Sequence, residues 1–159
     1  MPPMSRRTVL AMLASTAFLV ACGDRPADRR RADDDLPAVA PGGRALHDMI
    51  DRAATDHGVP AKLVHRVVQR ESRYNPGARN GPYYGLMQIS AETARVMGYR
   101  GRPEGLLDAR TNLHYGVKYL RGAWLVADRN HDRAVMWYAR GYYYEAKRKG
   151  LLRETGLKS

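Results

Sequence analysis

Leu63-Val64-His65-Arg66-Val67-Val68-Gln69-Arg70-Glu71-Ser72-Arg73-Tyr74-Asn75-Pro76 decides the fold. Leu63, Val64, Val67 and Val68 recur at the spacing of one face of an α-helix, and they predict a helix with a buried stripe. Pro60 suits the first turn of that helix, and Pro76 marks where regular helix gives way. Glu71 stands eight residues after Leu63 and four after Val67, so it continues the stripe that enters the core. A carboxyl carried to the buried end of a helix loses water, and lost water raises its pKa. Such a group stays protonated near neutral pH and can serve as a general acid. Spacing alone leaves open the plainer reading, a solvated Glu on a frayed last turn.

The chain reads outward from this stretch as short helices broken by Gly and Pro. Upstream, Leu46, Met49, Ile50 and Ala53 fall at helical spacing before a stop at Gly58. Downstream, Ser90 can cap a short helix that ends at Gly98. Asp108 can cap the longest helix, with Leu113, Val117, Leu120 and Trp124 along one face. Asn130 or Asp132 opens another through Ala134, Val135 and Trp137. A basic segment runs from Tyr142 to about Lys149, with Gly150 as its stop. Neither an alternating strand pattern nor an internal repeat stands out. The expected fold class is all-α, or mainly α, in one domain over residues 44–159.

The N-terminal part has another character. Arg6 and Arg7 precede an uncharged, mostly apolar run from Thr8 to Ala21, too short to span a bilayer as a helix, so residues 1–21 are expected to be an export signal peptide. Leu19-Val20-Ala21-Cys22 resembles a bacterial lipobox, which implies a lipid on Cys22 and a mature chain that begins there. Ser5-Arg6-Arg7-Thr8-Val9-Leu10 also resembles a twin-arginine signal. Residues 22–43 mix charges of both signs with Pro and Gly and offer almost nothing to bury, the composition of a flexible tether.

The 159 residues are 44% hydrophobic and 27% charged, with a formal net charge of +11 that falls to +9 once Arg6 and Arg7 leave with the signal. That sign favours an anionic partner and says nothing of fold. Nucleic acid is not expected as that partner, since the signal exports the chain and Asp33 to Asp35 cancel Arg29 to Arg31. His47, His57, His65, His114 and His131 form no His-x-x-x-His pair and have no Cys partner, so neither a metal nor another cofactor is expected.

Glu71-Ser72-Arg73-Tyr74-Asn75-Pro76, then Gly85-Leu86-Met87-Gln88-Ile89 with Thr93-Ala94 behind it, resembles the E-S-x-x-N-P and G-L-M-Q-I motifs of the soluble lytic transglycosylase (SLT) family. Asn112-Leu113 and Gly116-Val117-Lys118-Tyr119-Leu120 resemble that family's N-I-x-x-G-x-x-Y-L helix. The resemblance covers about residues 59–144. It implies a compact lysozyme-like multi-helix domain with a substrate groove. Carried over by position, it makes Glu71 the single catalytic acid and base, places Ser72 beside it, and assigns Gly85, Leu86, Met87 and Gln88 to the groove wall. Tyr138 and Gly141 match the ends of a Y-N-A-G segment whose tyrosine hydroxyl contacts the catalytic Glu. Here that segment reads Tyr138-Ala139-Arg140-Gly141, without the Asn and with a cation near its end.

The implied substrate is the glycan strand of peptidoglycan, and the implied reaction is cleavage of the MurNAc-β-1,4-GlcNAc bond with formation of a 1,6-anhydroMurNAc end. Most glycosidases use two carboxylates, and no second acid stands in a comparable motif, so the substrate is expected to supply the missing group. A hydrolytic muramidase on the same fold and a catalytically silent wall-binding lipoprotein are the alternatives. A monomer is expected, lipid-anchored and facing the periplasm. Gly23 after Cys22 favours the outer membrane, because it lacks the Asp associated with inner-membrane retention.

Overall fold

The structure is a computed structural model and describes residues 43–158. The signal peptide, Cys22 and the tether as far as residue 42 lie outside the described residues. Six helices follow in order: α1 (Gly43–His57), α2 (Ala61–Ser72), α3 (Ala91–Val96), α4 (Ala109–Val126), α5 (His131–Arg140) and α6 (Tyr143–Arg148). A short 3-10 turn, Pro103–Leu107, leads into α4. The domain is mainly helical, as expected. None of the described helices is long and apolar enough to cross a membrane.

The caps read from the sequence are in place. Ser90, Asp108 and Asn130 each accept a hydrogen bond from the backbone N–H three residues on, at Thr93, Thr111 and Arg133. Each fills one of the donors that a helix start leaves unpaired. Pro60 sits one residue earlier than expected, as the cap of α2, with its carbonyl accepting from Leu63 and Val64. Gly58 ends α1 with a φ of +62°, a conformation that costs glycine nothing.

α4 runs through the middle and packs most extensively against α5 and α1. The α2 stripe of Leu63, Val64, Val67 and Val68 is wholly buried, and it meets Leu113, Val117 and Leu120 of α4 in the main core. Burying side chains of this size contributes about 1.5–3 kcal/mol each. Gly116 of α4 leaves room for the Met87 side chain: a Cβ there would stand 2.6 Å from the Met87 sulfur. A smaller cluster of Tyr84, Ile89, Ala94, Tyr99 and Leu106 packs against Tyr115 and Tyr119 of α4.

Between α2 and α3 lies a three-stranded antiparallel sheet absent from the sequence reading: β1 (Arg79–Asn80), β2 (Tyr83–Tyr84) and β3 (Ile89–Ser90). Tyr84 pairs with Arg79 on one side and Ile89 on the other. Strands of two residues cannot display a period of two, so they leave no alternating pattern to read.

Candidate active site

Glu71 is the last residue but one of α2, and 24% of its side chain remains open to solvent. Burial raises its carboxyl above the usual range, and the Arg70 guanidinium, 3.6 Å away, only partly offsets this. The carboxyl lines a hollow of about 250 Å³ together with Tyr83, Gln88 and Tyr138. A second hollow of about 280 Å³ shares Tyr83, Gln88, Tyr138 and Ala139 and continues past Tyr119 to Arg140 and Gly141. The shared walls make the two one path along the surface, with Glu71 at one end.

The Gly85-Leu86-Met87-Gln88 turn supplies this path unevenly. Leu86 and Met87 are fully buried, and Gly85 is buried with a φ of +68°, so only Gln88 among the four lines the hollows. The other three are the packing behind the wall. Gln88 itself holds a φ of +47°, and its amide nitrogen donates to the carbonyls of Ala78 (3.1 Å) and Gly85 (2.9 Å). Both amide protons are thereby spent inside the protein. The amide oxygen is left to accept a hydrogen bond from whatever lies in the groove.

Tyr138 is the lid of the buried side. Its hydroxyl donates to the Met87 carbonyl at 2.8 Å. Among the described residues no hydrogen bond joins it to Glu71, although the charge of Glu71 is one cause of its raised pKa, after burial. The phenol therefore stays neutral and presents its ring to the hollow. Ser72 likewise turns away, its hydroxyl donating back to the Val68 carbonyl at 3.2 Å. Ala139 lines both hollows, while Arg140 lines only the second and is exposed, so the departure from the Y-N-A-G pattern adds a cation at the far end of the path.

Two groups that the sequence reading gave no role hold the site in shape. Asn112 is fully buried on α4. Its oxygen accepts from the Met87 N–H at 2.8 Å, and its nitrogen donates to the carbonyls of Tyr84 and Leu106, both at 2.7 Å. One side chain thus serves three backbone groups from separate segments. A Cβ on Gly85 would overlap that same Asn112 amide. The second group is His65, buried within the α2 stripe. One ring nitrogen lies 3.0 Å from Asp51 of α1, and the other lies 3.1 Å from the hydroxyl of Tyr74. His47 stacks on the Tyr74 ring at 4.8 Å. This chain pins the turn after Glu71, where Arg73 and Tyr74 both adopt left-handed backbone at φ 51° and 63°. Side chains rarely accept that conformation without such support. A polar residue inside an apolar stripe was the available signal for both Asn112 and His65.

Among the described residues no three His, Cys, Asp or Glu side chains stand close enough to hold a metal ion. The family model described as Transglycosylase SLT domain matches residues 48–154. Membrane-bound lytic murein transglycosylase E of Buchnera aphidicola subsp. Acyrthosiphon pisum (strain APS) is 37% identical over 82 residues, which cover 46% of this chain and 37% of that protein. Membrane-bound lytic murein transglycosylase F of Shewanella woodyi (strain ATCC 51908 / MS32) is 38% identical over 76 residues, covering 46% of this chain and 15% of that protein. The chain thus matches well under half the length of either relative. No solved structure matches it.

Proposed function

The chain belongs to the transglycosylase SLT domain family, and we propose from this that it cleaves the glycan strands of peptidoglycan as a lytic transglycosylase, with Glu71 as its acid and base. The observation that carries the reading is the state of Glu71: a mostly covered carboxyl with a raised pKa, opening on a hollow lined by no other carboxylate. Protonated Glu71 gives its proton to the bridging oxygen as the C1–O bond of MurNAc breaks. The N-acetyl oxygen of the same sugar supports C1. The sugar's own 6-hydroxyl then attacks C1, and its proton returns to the Glu71 carboxylate. The product is a 1,6-anhydro end, and no water is consumed. Gln88, with its donors spent on Ala78 and Gly85, accepts from a sugar hydroxyl or amide N–H.

An internal hydroxyl held in place acts at an effective molarity of about 10⁵ M or more, against roughly 55 M for bulk water, so transfer outruns hydrolysis without a second activating carboxylate. Glu92 lines the adjoining hollow, exposed in the first turn of α3, and is the acid that a hydrolytic mechanism would recruit. Digestion of purified peptidoglycan in ¹⁸O water tests the choice. The expected muropeptides end in 1,6-anhydroMurNAc with no label at C1, and Glu92→Gln digests as wild type does. Labelled reducing ends as the first product, lost in Glu92→Gln, would move the assignment to a hydrolytic muramidase. Binding to peptidoglycan without any cleavage would leave only a wall-binding role.

The place of action follows from the N-terminal residues. The signal peptide and the lipobox cysteine support export and anchoring at a membrane facing the periplasm, and both relatives carry "membrane-bound" in their names. Mass analysis of the mature protein should find a lipid on Cys22. An unmodified Cys22 in intact mature protein would overturn the anchor.

A further inference from the structure

A larger hollow of about 570 Å³ lies between α1 and α4, with Tyr99 also on its wall, and shares no lining residue with the two beside Glu71. Its apolar contributors are Met49 and Ala53 of α1 and Leu113 of α4. The same two helices bring four nitrogen-bearing side chains to it: Arg52 and His57 from α1, and Arg110 and His114 from α4. The His57 and His114 rings lie 5.0 Å apart. Tyr115 meets both His114 and Tyr99 edge-on, at 4.7 and 5.1 Å. Asp56 is the one carboxylate on the lining.

Cations drawn together from two helices around one carboxylate leave a field that an anion would relieve. Among the described residues, neither arginine forms an ion pair; Arg52 spends one N–H on the Asp48 carbonyl. Burial and the neighbouring His114 lower the His57 pKa, Lys118 and Arg121 add to that, and Asp56 opposes it. The His57 imidazole is thus poised to gain a proton when negative charge arrives. A carboxylate would be used up by a single guanidinium fork, whereas the three outer oxygens of a phosphomonoester can accept from both forks and from a protonated imidazole. Tyrosine rings and the apolar side suit a sugar or polyol skeleton.

We propose that the α1–α4 hollow is a second binding site, one that takes a phosphate-bearing ligand, with Arg52 and Arg110 on the phosphate oxygens, His57 and His114 completing the cage, and Tyr99 and Tyr115 against the carbon skeleton. The phosphate belongs either to a soluble sugar phosphate or to a phospholipid headgroup. Affinity falls as pH rises, because deprotonation of His57 removes a donor and a positive charge. The site stands apart from the Glu71 reading, since none of its residues lines the groove.

The test is a titration of the full chain with glucose 6-phosphate, followed by NMR of the histidine rings. Glucose 6-phosphate should move the His57 and His114 resonances, and glucose should not. Arg52→Ala with Arg110→Ala should weaken binding at least about tenfold, while peptidoglycan cleavage and the melting temperature stay as in wild type. The lysine pair, Arg52→Lys with Arg110→Lys, keeps the charge without the fork and should fall between. Phosphatidylglycerol and phosphatidylcholine vesicles separate the two sources. Binding to phosphatidylglycerol vesicles that the alanine pair loses, and that glucose 6-phosphate competes away, assigns a headgroup. Equal vesicle binding by wild type and the alanine pair, with glucose 6-phosphate still selective, assigns a soluble ligand. Unmoved histidine resonances, or glucose 6-phosphate bound as tightly by the alanine pair as by wild type, would overturn the site.

Discussion

Glu71 near the end of α2 and Glu145 in α6 are the same side chain, each with an arginine nearby and each mostly covered. Their open fractions are 24% and 17%. They hold their protons in opposite senses. At Glu71 burial is the larger cause and raises the carboxyl, with Arg70 a weaker counterweight. At Glu145 the hydrogen bonds from Arg148, at 2.9 and 2.6 Å, are the larger cause and lower it; Lys149 at 3.8 Å adds to this. What separates them is how much protein surrounds the carboxyl, more at Glu71, and whether the nearby guanidinium reaches hydrogen-bond distance or is held off at 3.6 Å. One glutamate is left able to give a proton, and the other is tied down as a surface anchor.

The most severe way to test that contrast is Glu71→Gln, which should lower peptidoglycan cleavage by about 10²- to 10⁴-fold, the contribution of a general acid. The protein should still fold. Because the folded pKa of Glu71 lies above its unfolded value, ionisation opposes folding: stability present below the unfolded pKa is lost as pH rises through the folded one. Gln should therefore be no less stable than Glu at neutral pH. Cleavage within a few-fold of wild type would remove Glu71 as the acid.

Asn112→Ala should cost about 3 kcal/mol in urea denaturation, since it leaves buried backbone groups at Tyr84, Met87 and Leu106 without partners. A loss below about 1 kcal/mol would mean that water takes over those bonds. Tyr138→Phe keeps the ring and gives up one hydrogen bond, worth about 1 kcal/mol, so the basic limb of the pH–rate profile should stay where it is. Tyr138→Ala should let water onto Glu71 and move that limb to lower pH. An unmoved limb in the alanine variant would show that Tyr138 is not the cover that keeps Glu71 protonated. Arg148→Ala should have the smallest effect. Glu145 contributes stability above its unfolded pKa and loses it as pH falls through the depressed folded value, so the variant should melt slightly lower at neutral pH and no lower in acid. Peptidoglycan cleavage should not change.

The helices were legible because their signals are local. A stripe needs only neighbours three and four residues apart, and the caps at Ser90, Asp108 and Asn130 need only the next turn. Glu71 was legible in part, as the continuation of a stripe, but the hollow it opens on is also walled by Tyr138, which no local pattern links to it. The wall between them shows the same limit. Leu86 and Met87 match a groove motif, yet they face the core, and only the backbone of Met87 touches the site through Tyr138. Ser72 stands next to Glu71 in sequence, and its hydroxyl returns to its own helix. Asn112 and His65 each interrupt an apolar face. Reading such an interruption as a tether to distant backbone or side chains would have found both.

The turn from Tyr84 to Met87 borrows its partners from far downstream: Asn112 on α4, and Tyr138, 51 residues beyond Met87. A chain made from its N-terminus must deliver α4 and then α5 before this turn can settle. Long-range closure of this kind is slow beside the winding of a helix. In refolding, helical ellipticity should therefore recover before cleavage does. Until Tyr138 arrives, the hollow beside Glu71 lacks one of its walls, so the proposed cleavage waits for α5. Cleavage recovering in step with ellipticity would contradict this order.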